Sequence, residues 1–262
     1  MAELGYTLTG DAGDPAVLFL HGFMGSAEDW QDVIATLDER CRCLAVDLPG
    51  HGESVGLLRE AYTTEGAART VLDLLDELDF GPPTIIGYSM GGRLALYLAL
   101  RHPARCAGLF LESASPGIES AAERWARREA DEERARHLEE DFGTFLRDWY
   151  RQPLFASLAR HEGLVGAMIE SRARSDPGEL ARSLRGTGVG RAPSLWGELA
   201  ELRVPARAVA GALDEKFVEI SHRMADLNPR LRTVIVPGAG HNVHLESPEA
   251  YLSLLQDFLE IL

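Results

Sequence analysis

The stretch Gly87-Tyr88-Ser89-Met90-Gly91 sets a serine between two glycines, just after an apolar run at 84–86 and just before a helix-period stretch. In that context the glycines allow a sharp strand-to-helix turn that presents the Ser89 hydroxyl as nucleophile or base. The free N–H groups and positive dipole end of the following helix would favour negative charge at the same spot. A serine so used needs a proton acceptor. Of eight histidines, His241 alone lies in a Gly-rich loop, Pro237-Gly238-Ala239-Gly240-His241, after the last apolar run. Asp214 closes Gly211-Ala212-Leu213-Asp214, where a carboxylate can orient the imidazole and stabilise its protonated form. Glu112, at the end of an earlier run, is the rival acid.

Each of these has a bland reading beside the chemical one. A Gly-rich turn can hold an incidental serine, and a lone histidine is ordinarily a solvated loop residue, the reading given to His102, His137, His161 and His222. His51 and His244 remain candidate neighbours of the site. The segment His21-Gly22-Phe23-Met24-Gly25 follows the first strong apolar run, so the expected donors to a developing oxyanion are the backbone N–H groups of Phe23 and Met90. Arg93 comes four residues after Ser89 and can share its helix face. A site cation and an arginine paired with a surface acid are equally good readings of that spacing.

These residues must be positioned by regular elements. Ala16–Leu20 and Arg42–Val46 are short apolar runs separated by a helix-period segment holding Trp30, Val33, Ile34 and Leu37. Helices at 63–78 and 90–102 alternate with strands at 84–86 and 106–111. A helix at 217–227, a strand at 232–236 and a helix with Ser247 as N-cap and Pro248 at its first position follow the strand at 206–210. Alternation of this kind predicts a mostly parallel sheet covered by helices on both faces. No strand signal lies between Pro116 and the run at 206–210, so residues 116–195 are expected to form an inserted helical cap, with 1–115 and 196–262 as the core. That segment holds 13 arginines and 14 acids, against 13 basic and 27 acidic residues elsewhere.

A chain of 262 residues is long enough for one such domain. Its net charge of −15 opposes encounter with nucleic acid or anionic lipid, leaving a small molecule as the expected partner. The start of the chain lacks the pattern of a secretory signal, and no apolar run is long enough to span a bilayer, so a cytoplasmic setting is expected. The three cysteines, Cys41, Cys43 and Cys106, read as reduced core residues with no zinc spacing among them.

With these motifs in place, the chain resembles the α/β-hydrolase superfamily, through His21-Gly22-Phe23, Asp47-Leu48-Pro49-Gly50-His51-Gly52 and the serine turn. Nearly end to end it resembles one family within it, the 2-succinyl-6-hydroxy-2,4-cyclohexadiene-1-carboxylate synthases of menaquinone biosynthesis. The specific part is Gly87-Tyr88-Ser89-Met90-Gly91-Gly92-Arg93, Asp148-Trp149-Tyr150-Arg151-Gln152-Pro153-Leu154-Phe155, and Ser183-Leu184-Arg185-Gly186-Thr187-Gly188 leading to Pro193-Ser194-Leu195-Trp196. The resemblance implies a lyase that removes pyruvate from an enolpyruvyl ether, with no metal or organic cofactor. It implies a substrate with three carboxylates, met by Arg93, Arg127 and Arg172, with Tyr88 and Trp149 as further site residues. Arg124 and Arg128 compete for the place of Arg127. The rival function is a serine hydrolase working through an acyl-enzyme, and a ligand-binding receptor on the same scaffold is a remote third.

Overall fold

A computed structural model describes residues 3–37 and 40–262 of the chain; the first two residues of the expected core lie outside these. Among the described residues seven strands build one sheet: β1 (Tyr6–Thr9), β2 (Ala16–Leu20), β3 (Arg42–Val46), β4 (Thr84–Tyr88), β5 (Gly108–Glu112), β6 (Ala206–Gly211) and β7 (Leu231–Val236). Their order is β1-β3-β2-β4-β5-β6-β7, with β1 antiparallel to β3 and every other neighbouring pair parallel. The helices are α1 (Gln31–Ile34), α2 (Thr64–Glu77), α3 (Met90–Arg101), α4 (Ala121–Glu140), α5 (Phe142–Tyr150), α6 (Leu164–Arg172), α7 (Pro177–Thr187), α8 (Glu215–Leu227), α9 (Val243–Glu246) and α10 (Pro248–Leu259).

The parallel strands are apolar on both faces because helices cover both. Leu18 and Leu20 of β2 pack with Val71 and Leu75 of α2, Leu96 of α3 and Met224 of α8. Val17 and Phe19 of the same strand point the other way, into Val33 and Ile34 of α1 and Tyr251 and Phe258 of α10. Between β5 and β6 the described chain forms no strand and supplies α4 to α7. These helices have an apolar cluster of their own, where Leu138, Phe145, Leu180 and Leu184 meet Met24 from the loop after β2.

Several local expectations need correction. Edge strand β1 carries no buried run and is mostly exposed, so periodicity did not mark it. The helix expected around Trp30 to Leu37 is a 3-10 turn, Ala27–Trp30, that runs into the single turn of α1. Ser247 at the N-cap and Pro248 at the first position of α10 stand as expected, with no capping bond from the Ser247 side chain. His137 and His222 lie on α4 and α8 and not in loops, and the His137 ring packs edge-on against Phe145. Among the described residues no helix is long and apolar enough to cross a membrane.

Strand order reverses at β2: β3 lies on one side of it and β4 on the other. Loops leaving the carboxyl ends of β2 and β4 therefore open a crevice at the switch point, the usual ligand position in such sheets. The His21–Gly25 segment leaves β2 there, and Ser89 leaves β4.

Candidate active site

Ser89 sits between β4 and α3 with φ +50°, a left-handed value that a serine adopts only under constraint. The flanking glycines are required by close approach. A Cβ at Gly91 would lie 2.2 Å from the Leu20 carbonyl oxygen, and one at Gly87 would lie 2.6 Å from the Gly92 Cα. The Ser89 N–H donates to the Glu112 carbonyl at 2.8 Å, which fixes the turn to the neighbouring strand β5. Met90 opens α3, so its N–H has no acceptor within the helix. Among the described residues neither it nor the Phe23 N–H has a backbone partner. The Phe23 loop is held by His21, whose Nε2 accepts from the Leu48 N–H at 3.0 Å while Nδ1 meets the Gly22 carbonyl at 2.7 Å.

The structure brings Ser89, His241 and Asp214 together. His241 Nε2 lies 3.1 Å from Ser89 Oγ, and His241 Nδ1 lies 2.7 Å from Asp214 Oδ2. With a proton on Nδ1 donated to the carboxylate, Nε2 is free to accept from the serine hydroxyl. Asp214 and His241 are both buried. Asp214 is also the N-cap of α8, accepting from the Phe217 N–H at 3.4 Å, which fixes the carboxylate from its far side. The imidazole is packed among the rings of Phe217, Tyr88 and Phe155, with centroids 4.8, 5.4 and 5.9 Å away. The rival acid Glu112 points elsewhere: both its carboxylate oxygens lie 2.8 Å from His244 Nδ1.

Ser89 and His241 open onto a cavity of ≈ 220 Å³ whose lining includes Phe23, Met90, Trp149, Arg93 and Arg127. Arg93 donates to the Thr187 carbonyl at 3.2 Å. Burial first, and Arg127 second, pull its guanidinium down to about 10, so a carboxylate placed beside it would be stabilised by relieving that charge. Arg127 Nε bonds Asp131 Oδ1 at 2.7 Å. Its competitors do not line the cavity: Arg124 donates to the Ile118 and Glu119 carbonyls and Arg128 to the Gly190 carbonyl.

Two expected site residues are placed differently. Arg172 does not line this cavity: it is buried beside the 3-10 turn, with Nη2 2.7 Å from Asp29 Oδ2. Its charge is neutralised by a carboxylate of the protein. Tyr88 is likewise absent from the lining, because its ring is wedged between His241 and His244 over Gly22. His51 is buried against His21 and Phe23, behind the cavity wall. Among the lining residues that went unrecognised in the sequence is one cation. Lys216, exposed in the first turn of α8, lies at the cavity two residues after Asp214. The available signal was its being the single lysine among 26 basic residues. Among the described residues no group of three or more His, Cys, Asp or Glu is placed to hold a metal ion.

A family model of the α/β hydrolase fold matches residues 15–248. The 2-succinyl-6-hydroxy-2,4-cyclohexadiene-1-carboxylate synthase of Serratia proteamaculans is 36% identical over 253 residues, covering 95% of this chain and 95% of its own. The synthase of that name from Enterobacter is 33% identical over 258 residues, covering 98% and 96%. The chain belongs to the 2-succinyl-6-hydroxy-2,4-cyclohexadiene-1-carboxylate synthase family. The solved structure of MenH from S. aureus, 31% identical, superposes with a TM-score of 0.92 over 99% of this chain and 98% of that one. By contrast, an enol-lactonase from Burkholderia xenovorans, 24% identical with a TM-score of 0.84 over 98% and 96%, shares the fold alone. The family resemblance carried by the serine turn and the 148–155 segment is thus borne out over nearly the whole chain. As a synthase-family member the chain is an enzyme of the α/β-hydrolase superfamily.

Proposed function

We propose that the chain is a carbon–oxygen lyase that removes pyruvate from 2-succinyl-5-enolpyruvyl-6-hydroxy-3-cyclohexene-1-carboxylate, leaving 2-succinyl-6-hydroxy-2,4-cyclohexadiene-1-carboxylate, in menaquinone biosynthesis. The observation that carries this reading is the pairing of Ser89, His241 and Asp214 with Arg93, Arg127 and Lys216 around one cavity. A substrate with three carboxylates needs directional cations close to the reacting carbon.

In the proposed step His241, oriented by Asp214, draws the Ser89 proton and lets Oγ take the proton from ring carbon C2, which carries the succinyl ketone. The resulting enolate oxygen is held by the Phe23 and Met90 N–H groups. The electron pair then returns through the C3–C4 double bond and expels the oxygen at C5. Enolpyruvate leaves and becomes pyruvate by proton transfer to its methylene carbon. Serine serves here as a base, and no cofactor takes part.

Helices α4 to α7 act in this reading as a cap, delivering Arg127 and Trp149 over a site built by the sheet domain. A small anionic substrate and a cytoplasmic setting go with it, and nucleic acid and membrane have no place in it. The test is incubation with the enolpyruvyl substrate: pyruvate and diene should appear in equal amounts, and Ser89→Ala should abolish both.

A further inference from the structure

The loop that carries His241 is held by two buried carboxylates with no part in the step above. Glu246 accepts from the Gly240 N–H at 3.0 Å through Oε2 and from the Asn242 N–H at 3.2 Å through Oε1. These N–H groups belong to the residues on either side of His241. On the other side the same loop is pressed by the segment between β5 and β6: a Cβ at Gly240 would lie 2.0 Å from Ser157 Oγ.

Glu112, fully buried at the end of β5, has two attachments. Its carbonyl oxygen accepts from the Ser89 N–H at 2.8 Å. Its carboxylate accepts from the His244 N–H at 3.0 Å and from His244 Nδ1 at 2.8 Å, three residues beyond His241. One residue therefore fastens the serine turn with its backbone and the histidine loop with its side chain. Burial and the Glu112 charge together push the Tyr251 and Tyr88 phenols well up, so both face that carboxylate as neutral groups.

A buried carboxylate is tolerated only when its oxygens are well bonded, and these four oxygens hold the chain on both sides of the base. The contact they control is the 3.1 Å approach of Nε2 to Oγ, which joins two separate loops. We propose that Glu112 and Glu246 are positioning residues that hold His241 in register with Ser89. Glu246 fixes the backbone N–H groups of the two residues flanking the histidine, and Glu112 ties its loop to the strand that anchors the serine. The inference rests on the roles proposed for Ser89 and His241.

The experiment compares Glu246→Gln and Glu112→Gln with the parent protein. In each variant an NH2 group replaces one acceptor and faces a donor. Pyruvate release should fall up to about 100-fold in kcat, with KM within about twofold, since Arg93 and Arg127 are untouched. Phosphonylation of Ser89 by a fluorophosphonate should slow in parallel. The low-field proton resonance of the His241 Nδ1–H should move. Glu246→Asp keeps two acceptor oxygens and should recover part of the lost rate; it and Glu112→Asp carry the test if a Gln variant does not fold. Parental kcat, phosphonylation rate and resonance position in the folded variants, whatever their Tm, would overturn the inference. If the parent itself releases no pyruvate, the proposed reaction fails, while the phosphonylation and resonance measurements still decide the positioning.

Discussion

Arg172 Nη2 lies 2.7 Å from Asp29 Oδ2, so a guanidinium expected to meet substrate is already met by the protein. Both side chains are mostly buried, at 10% and 18% exposure, and the bond ties α6 to the 3-10 turn after β2. Removing one partner of such a pair leaves the other uncompensated. Arg172→Ala should therefore cost about 3 kcal/mol of stability, read by denaturant unfolding. Arg93→Ala, which empties a place at the cavity, should instead raise KM for the enolpyruvyl substrate with a much smaller change in unfolding midpoint. A large KM effect and unchanged stability in Arg172→Ala would reverse these assignments.

The three hydrogen-bonded residues are expected to act as a unit. Asp214→Asn should lower kcat by about 10⁴-fold through loss of the correct histidine tautomer. Ser89→Ala and His241→Ala should each be severe, and combining them should cost little more than either alone. Steady-state pyruvate release with a circular dichroism check of folding decides this. Near-normal turnover by Asp214→Asn would require another acid.

Acid should destabilise the fold through its buried histidines. Burial pulls His21 below, and His51 well below, their ordinary 6.5. The unfolded chain then binds protons that the folded chain refuses. Their contribution is full above the unfolded value of 6.5 and is lost as pH falls from there toward the folded pKa. Tm measured by scanning calorimetry should drop between about pH 7 and about pH 5, and His51→Gln should flatten that slope. An identical slope in the variant would contradict the assignment.

Contact between the inter-strand helices and the histidine loop can be tested by steric substitution. A methyl at Gly240 would lie 2.0 Å from Ser157 Oγ. Gly240→Ala should lower kcat, and adding Ser157→Gly, which removes the colliding hydroxyl, should restore part of it. Failure of the double variant to recover would show that the loop fails for another reason.

Ser89, His241 and Asp214 were legible because each is announced by its own neighbours: a glycine-flanked turn, a Gly-rich loop, a strand ending in a turn. Arg172 was not, since its partner Asp29 stands 143 residues away and no local pattern joins them. Lys216 was masked by an arginine-rich composition that drew attention to the other cations. Strand β1 escaped for a related reason, because it is an exposed edge whose pairing with β3 is its main stabiliser. Local context determined the serine turn and most element positions, while pairing across the chain decided which cations face the cavity.

The most direct measurement follows pyruvate and the state of Ser89 in one reaction, by a lactate dehydrogenase couple and intact-mass spectrometry during turnover. With the enolpyruvyl substrate, pyruvate should be released in step with diene absorbance and Ser89 should stay unmodified throughout. Nitrophenyl acetate, which lacks the carboxylates that the cavity cations would orient, should turn over orders of magnitude more slowly. Rapid ester cleavage with an acetyl group on Ser89, and no pyruvate from the enolpyruvyl compound, would contradict the proposed elimination and make the protein a serine hydrolase.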